Sequence, residues 1–204
     1  MLGLPRSTEI NKQLPKTAIT RVLNLTPAEE KKIDSEISRI ILVNQVLPSV
    51  INVADGKETQ SFAVARVIIK NRDFDKNAII KLFKIVPQNM ILILEYEEEE
   101  KIAVYHSKLL QTEWMPKESF TVQLKGLNFD DVWENIILQI GDFELQGENT
   151  LEEQIAVNEQ QEKLKKEIER LEKLARKETQ PKKKFELVQQ INKLKKMLIG
   201  GQNV

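Results

Sequence analysis

The densest cluster of side chains able to do chemistry lies in ARKETQPKKKFELVQQ, residues 175–190. There Arg176, Lys177, Lys182, Lys183 and Lys184 stand on either side of a proline. From Lys173 to Leu198 nine basic residues face two acidic ones, Glu178 and Glu186, the strongest charge bias in the chain. Cations gathered this way attract phosphate, and such binding is salt-sensitive and blind to base sequence. The plainer alternative is a solvated turn, because Pro181 ends one helix and suits the first position of the next. Against that alternative, Lys182, Lys183 and Lys184 fall in the first turn of the second helix, where the helix dipole favours acids. A turn alone gives no reason for them.

Other stretches offer weaker chemistry. QTEWMP, residues 111–116, places Trp114 beside a carboxylate and near a proline. Trp114 can stack on a base or anchor a partner, or it can seal the edge of a core. Trp133, on the inner side of a helix start, reads as core. His106 is the only histidine, with no nucleophile motif and no second histidine to share a metal, and reads as an ordinary strand residue. The acidic run EYEEEE ends in Glu99-Glu100-Lys101, the short Glu-x-Lys element of restriction-type nucleases. A metal-dependent nuclease built on it would use Asp73 or Asp75, Glu95 or Glu99, and Lys101, and needs the carboxylates within about 4–6 Å of one another around a metal. The plainer reading of Glu97–Glu100 is an acidic turn.

Composition excludes several classes. Without cysteine there are no disulfides and no zinc-finger sites, and a reducing, cytoplasmic setting is expected. Seven glycines form neither a dinucleotide-binding nor a triphosphate-binding loop, and no cofactor is expected. The apolar run MILIL is far shorter than the ~20 residues of a membrane helix. The opening MLGLPRSTE has no signal-peptide core, because Pro5, Arg6 and Glu9 come too early. With 31 basic and 31 acidic residues the whole chain is neutral, while residues 151–204 alone carry +4.

The elements that must hold these groups follow from pattern. Leu4-Pro5 and Leu14-Pro15 predict an extended arm, followed by a short helix over 16–24. TPAEEKKIDSEI predicts a helix capped by Thr26, with Pro27 first and Glu29 completing a capping box. RIILVNQV, SVINV and SFAVARVIIK read as strands, with a turn at Asp55-Gly56. DKNAIIKLFKIV reads as a helix ended by Pro87. MILILEY is apolar on both faces and so predicts a central strand covered on each side, paired with KIAVYHSKLL. SFTVQLKG reads as one more strand. NFDDVWENIILQI predicts a helix capped by Asn128, with Val132, Ile136 and Ile140 inward. Gly141 and Gly147 bracket a hinge. Beyond it, apolar residues three and four apart run from Val157 to Ala175 and from Leu187 to Leu198, with Glu159–Lys163, Glu162–Lys166, Glu169–Lys173 and Glu172–Arg176 spaced for ion pairing.

These elements predict an α+β fold, a mostly antiparallel sheet with flanking helices, over residues 1–146. A coiled-coil-like antiparallel helical hairpin is expected over residues 147–204. The segments LPRSTEINKQLPKTAI, QTEWMP, GLNFDDVWENIILQI and ARKETQPKKKFELVQQINKLKK, in that order over nearly the whole chain, resemble an uncharacterised bacterial family, a domain of unknown function. The resemblance implies a setting rather than a mechanism. The resemblance implies that the family's members are often encoded beside helicase and methyltransferase genes of type III-like restriction–modification or related phage-defence systems, and it carries no catalytic residues to these positions.

The expectation is therefore a non-catalytic accessory protein. Its α+β domain docks on a larger partner such as a helicase or methyltransferase, and Arg176, Lys177, Lys182, Lys183, Lys184 and Trp114 contact DNA or that partner. A metal-dependent nuclease and a free-standing oligomer held by its C-terminal helices are the alternatives.

Overall fold

The computed structural model describes residues 2–145 and 149–200, with side chains through 198. The chain divides into two compact units, Met1–Glu144 and Leu145–Val204.

The first unit is α+β, built on a seven-stranded sheet. Its strands are β1 (Glu9–Leu14), β2 (Ile37–Val46), β3 (Phe62–Ile69), β4 (Asn89–Tyr96), β5 (Glu99–His106), β6 (Lys108–Gln111) and β7 (Met115–Pro116). The order is β1-β2-β3-β4-β5-β6, with β7 pairing to β5 outside that path. Neighbouring strands run antiparallel except β3 and β4, which are parallel. A parallel pair requires the chain to cross back over the sheet, and helix α4 (Lys76–Leu82) makes that crossing.

One face of the sheet packs on α1 (Lys16–Leu23), α2 (Pro27–Glu36) and α4. Ile19, Ile33, Ile79 and Leu82 from these helices meet Ala65, Val67, Leu92 and Leu94 from the strands. The opposite face receives α5 (Phe129–Gly141), whose Phe129 ring stacks on Phe62 at 5.7 Å and whose Trp133 lies 5.5 Å from the same ring. Helices on both sides explain the continuous apolar run of β4, since both of its faces are removed from water. Trp133 is core, as its position predicts.

The caps read from sequence form as expected. Thr26 and Glu29 make a reciprocal capping box on α2, and the Asn128 side chain accepts from the Asp131 N–H at the start of α5. Asp130, one residue earlier, turns outward. Its carboxylate accepts from the backbone N–H groups of Lys57, Glu58 and Thr59, at 2.6, 3.2 and 2.6 Å, and so pins the loop before β3 to α5.

Five local readings differ from the structure. Helix α4 ends at Leu82, well before Pro87, and KIAVYHSKLL is split at Ser107, with φ 55°, into β5 and β6. SVINV holds a short helix, α3 (Pro48–Ile51), in place of a strand, because Pro48 takes a first helical position and cannot donate to a ladder. SFTVQLKG forms no strand. The Val122 N–H donates to the Leu2 carbonyl, and the Gln139 side-chain amide accepts from the Gln123 N–H and donates to its carbonyl, so these backbone groups are satisfied without a ladder. The acidic turn is shorter than Glu97–Glu100: Glu97 sits at φ 50°, and Glu99 and Glu100 already belong to β5.

The second unit holds two helices, α6 (Leu151–Lys177) and α7 (Pro181–Gly200). Thr150 and Glu153 form a second capping box at the start of α6. Ile168, Leu171, Ala175 and Ile191 are buried together, with Leu187, Leu194 and Leu198 packed around them. The two helices thus form an antiparallel hairpin. Gly141 closes α5, with Asp142 as a left-handed C-cap, while Gly147, the other end of the expected hinge, lies outside the described residues.

Candidate functional site

The basic residues read from sequence converge at the tip of the hairpin. Arg176 and Lys177 occupy the last turn of α6. Lys182, Lys183 and Lys184 follow Pro181 in the first turn of α7, which contains no acidic residue. Glu178 caps the end of α6 with its backbone N–H on the Leu174 carbonyl, and its carboxylate accepts from the Gln180 N–H, which makes the connection tight. Three cations at the positive end of a helix each cost up to about 1 kcal/mol, so folding gains nothing from their placement.

Among the described residues, the ion pairs of the hairpin lie on its shaft, where Lys163, Lys166, Arg170 and Lys195 take part. Lys165, Lys173, Lys193 and Lys196 do not, so the expected Glu169–Lys173 pair is not made. Along the shaft, Lys163 pairs with Glu159 at 2.5 Å, Lys166 lies 4.0 Å from Glu162, and Arg170 pairs with Glu167 at 2.7 Å. Glu172 does not pair with Arg176 as its spacing predicts. It reaches across to Lys195 on α7 at 2.7 Å, and that hydrogen bond holds its carboxyl below the usual range. The facing helix offers Glu172 a cation that also links α6 to α7, and Arg176 keeps only a weaker attraction to that carboxylate, without an ion pair. Among the described residues, none of Arg176, Lys177, Lys182, Lys183 and Lys184 takes part in an ion pair.

A cleft of about 470 Å³ opens beside the tip, floored by Leu174 and Leu187 and rimmed by Lys177, Lys183, Glu178 and Glu186. Two carboxylates on its wall make it a poor receptacle for a polyanion. The cations project elsewhere as well, because successive helical residues point about 100° apart.

Trp114 lies in the first unit, in a cationic and aromatic cluster. Its ring meets Phe74 edge-on at 6.3 Å, with Arg72 5.7 Å and Lys101 5.5 Å from its centre. It also packs against the core beneath α4. Arg72 is neutralised by Glu99 at 3.0 Å. Lys101 is 8% exposed, and burial, with Lys76 and Arg72 nearby, pushes its ammonium below the usual lysine range even though Glu113 opposes the shift.

Glu95 does not join the nuclease constellation, whereas Glu99, two residues from Lys101 on β5, shares the face of that lysine. Lys101 pairs with Leu94 in the β4–β5 register, on the face packed by α4. Glu95 pairs with Glu100, one residue out of phase, and so lies on the opposite face. There Glu95 takes Arg66 at 2.7 Å. Asp75 caps α4 and pairs with Lys32, while Glu99 holds Arg72. Among the described residues, no three His, Cys, Asp or Glu side chains gather as metal ligands. His106 ends β5 opposite Lys108.

One half-buried charged group escaped the sequence reading. Arg66 sits inside the apolar strand SFAVARVIIK and is joined by Glu95 and by Glu100, which is 4% exposed. Burial raises the Glu100 carboxyl above its usual range, partly offset by the Glu118 N–H that donates to it at 2.9 Å. A lone arginine in an apolar strand was the available signal, because a buried guanidinium must find a carboxylate.

A family model described as Domain of unknown function (DUF4391) matches residues 2–198. The chain belongs to this family. No curated protein and no solved structure gives a significant match. Among the described residues, no helix of this DUF4391 protein is long and apolar enough to cross a membrane.

Proposed function

We propose that this DUF4391 protein is a non-catalytic accessory component of a bacterial DNA-processing system, with the tip of its helical hairpin serving as a nucleic-acid contact. One observation carries the reading: five cations stand together at the tip and, among the described residues, none of them takes part in an ion pair, while Lys163, Lys166, Arg170 and Lys195 along the shaft do. Cations that folding neither needs nor neutralises are available to phosphate. The α+β domain, in this reading, docks on a larger enzyme such as a helicase or methyltransferase, in the restriction or phage-defence setting implied by the resemblance.

The test is fluorescence anisotropy with a labelled oligonucleotide and the full chain, at low and at physiological salt. The comparison is a variant with Arg176, Lys177, Lys182, Lys183 and Lys184 each changed to Glu. Salt-sensitive binding by the wild type, lost in a variant that keeps its helical circular dichroism, is the expected result. No binding at either salt, or equal binding by the variant, overturns the reading.

A further inference from the structure

Phe185 follows the three lysines directly and is 63% exposed, the most exposed aromatic side chain among the described residues. The hairpin does not use it. The buried stripe of α7 runs through Leu187, Ile191, Leu194 and Leu198, and Phe185 stands about half a turn away from that stripe. Lys182 precedes Phe185 by three residues and Val188, also exposed, follows it by three, so all three share one outward face. Side chains spaced this way have Cβ atoms about 5–6 Å apart. Lys182 and the open ring of Phe185 thus stand on one helix face, with Lys184 adjacent in sequence and Arg176 and Lys177 at the end of α6.

We infer that the tip binds single-stranded nucleic acid in preference to duplex, with Phe185 stacking on an unpaired base while Lys182 and its neighbours hold the flanking phosphates. The inference rests on the proposed nucleic-acid contact and names its ligand class. A duplex offers phosphates but keeps its base faces stacked inside, so the ring would gain nothing from it. A single strand offers both, and every base has a face to stack. Unpaired positive charge around Phe185 favours a polyanion over an apolar partner helix. The nearby cleft, walled by Glu178 and Glu186, does not compete for the strand.

The experiment measures binding of the full chain to a labelled single strand and to its duplex, for wild type, Phe185→Ala, Phe185→Leu and Phe185→Trp. The stacking energy of one base makes the expected loss for single strand in Phe185→Ala about 5- to 150-fold. Phe185→Leu, which keeps apolar bulk without a π-face, should lose nearly as much, and Phe185→Trp should retain binding. Duplex affinity and the salt slope should stay unchanged in all three. Single-strand binding by Phe185→Ala at wild-type strength overturns the stacking role, even if the five-fold Glu variant still loses binding and so upholds the basic contact. Equal affinity for duplex and single strand, or displacement of the strand by polyglutamate at equal charge, overturns the ligand class. No binding by the wild type to either oligonucleotide overturns both proposals.

Discussion

Changing Lys182, Lys183 and Lys184 together to Ala should lower the salt dependence of duplex binding by a calculable amount. Each phosphate neutralised contributes about −0.9 to the slope of log affinity against log salt. The three lysines are consecutive on α7 and span about 200° of its circumference, so at most two of them meet one strand at once. Arg176 and Lys177 at the end of α6 add one or two contacts. The wild type should therefore make three or four phosphate contacts, with a slope of about −3 to −4. Raising salt fourfold should then weaken duplex binding about 40- to 150-fold. The triple variant should flatten the slope by about 2, with a residual slope near −1 to −2. Lys163→Ala is the control, since it removes a positive charge from the other helix of the hairpin at a position already paired with Glu159, and its slope should equal that of the wild type. The assay is anisotropy titration at four or more salt concentrations. A wild-type slope shallower than about −1, or a Lys163 effect as large as that of the triple variant, would refute the argument, because it would mean that pairing does not decide which cations are available.

Phe62→Ala should destabilise the first unit by roughly 3–5 kcal/mol, because the ring is wholly buried between Phe129 and Trp133. Urea unfolding followed by tryptophan fluorescence measures it, and a loss under about 1 kcal/mol would contradict the packing. Asp130→Ala strips the acceptor from three backbone N–H groups and should cost about 1–3 kcal/mol, with Asp130→Asn recovering part of it in thermal melts. The Lys81 ammonium, then the Thr26 backbone and hydroxyl, hold the Glu29 carboxyl at about 2, against 4.5 when unperturbed. A depressed folded-state value means that this stabilisation is fully present above pH 4.5 and is lost as pH falls toward 2. The melting temperatures of wild type and Glu29→Gln should therefore converge over that interval, and a gap independent of pH would exclude the pairing.

Much of the architecture is written in local pattern. Thr26-Pro27 with Glu29, and Asn128 ahead of Asp131, are complete capping instructions within four residues, and both caps form as read. MILILEY has no polar face, so it had to lie between two layers whatever its neighbours were, and α4 and α5 supply them. The heptad stripes of α6 and α7, joined by a proline-containing turn, left folding back as the way for two short helices to bury their apolar faces together.

What local pattern did not carry depends on where distant groups meet. The alternation of SFTVQLKG suits a strand, but the Leu2 carbonyl and the Gln139 amide satisfy its backbone first. That β3 and β4 run parallel follows from the crossing of α4, which strand composition does not record. Glu95 and Lys101 are six residues apart in sequence, and only the register of β4 with β5 puts them one residue out of phase, on opposite sides of the sheet, which removes Glu95 from the nuclease constellation. The charges of the hairpin tip are likewise plain in the sequence, but their availability was decided in three dimensions. Glu172 lies four residues from Arg176 and yet pairs with Lys195, because the facing helix brings that ammonium closer. Sequence by itself determined most of the elements, though not the fate of SVINV and SFTVQLKG, and it determined where charge accumulates, since those depend on neighbours a few residues apart. Tertiary structure alone decided which charges are spent within the fold and which remain open to a ligand, since ion pairs are chosen by distance in space.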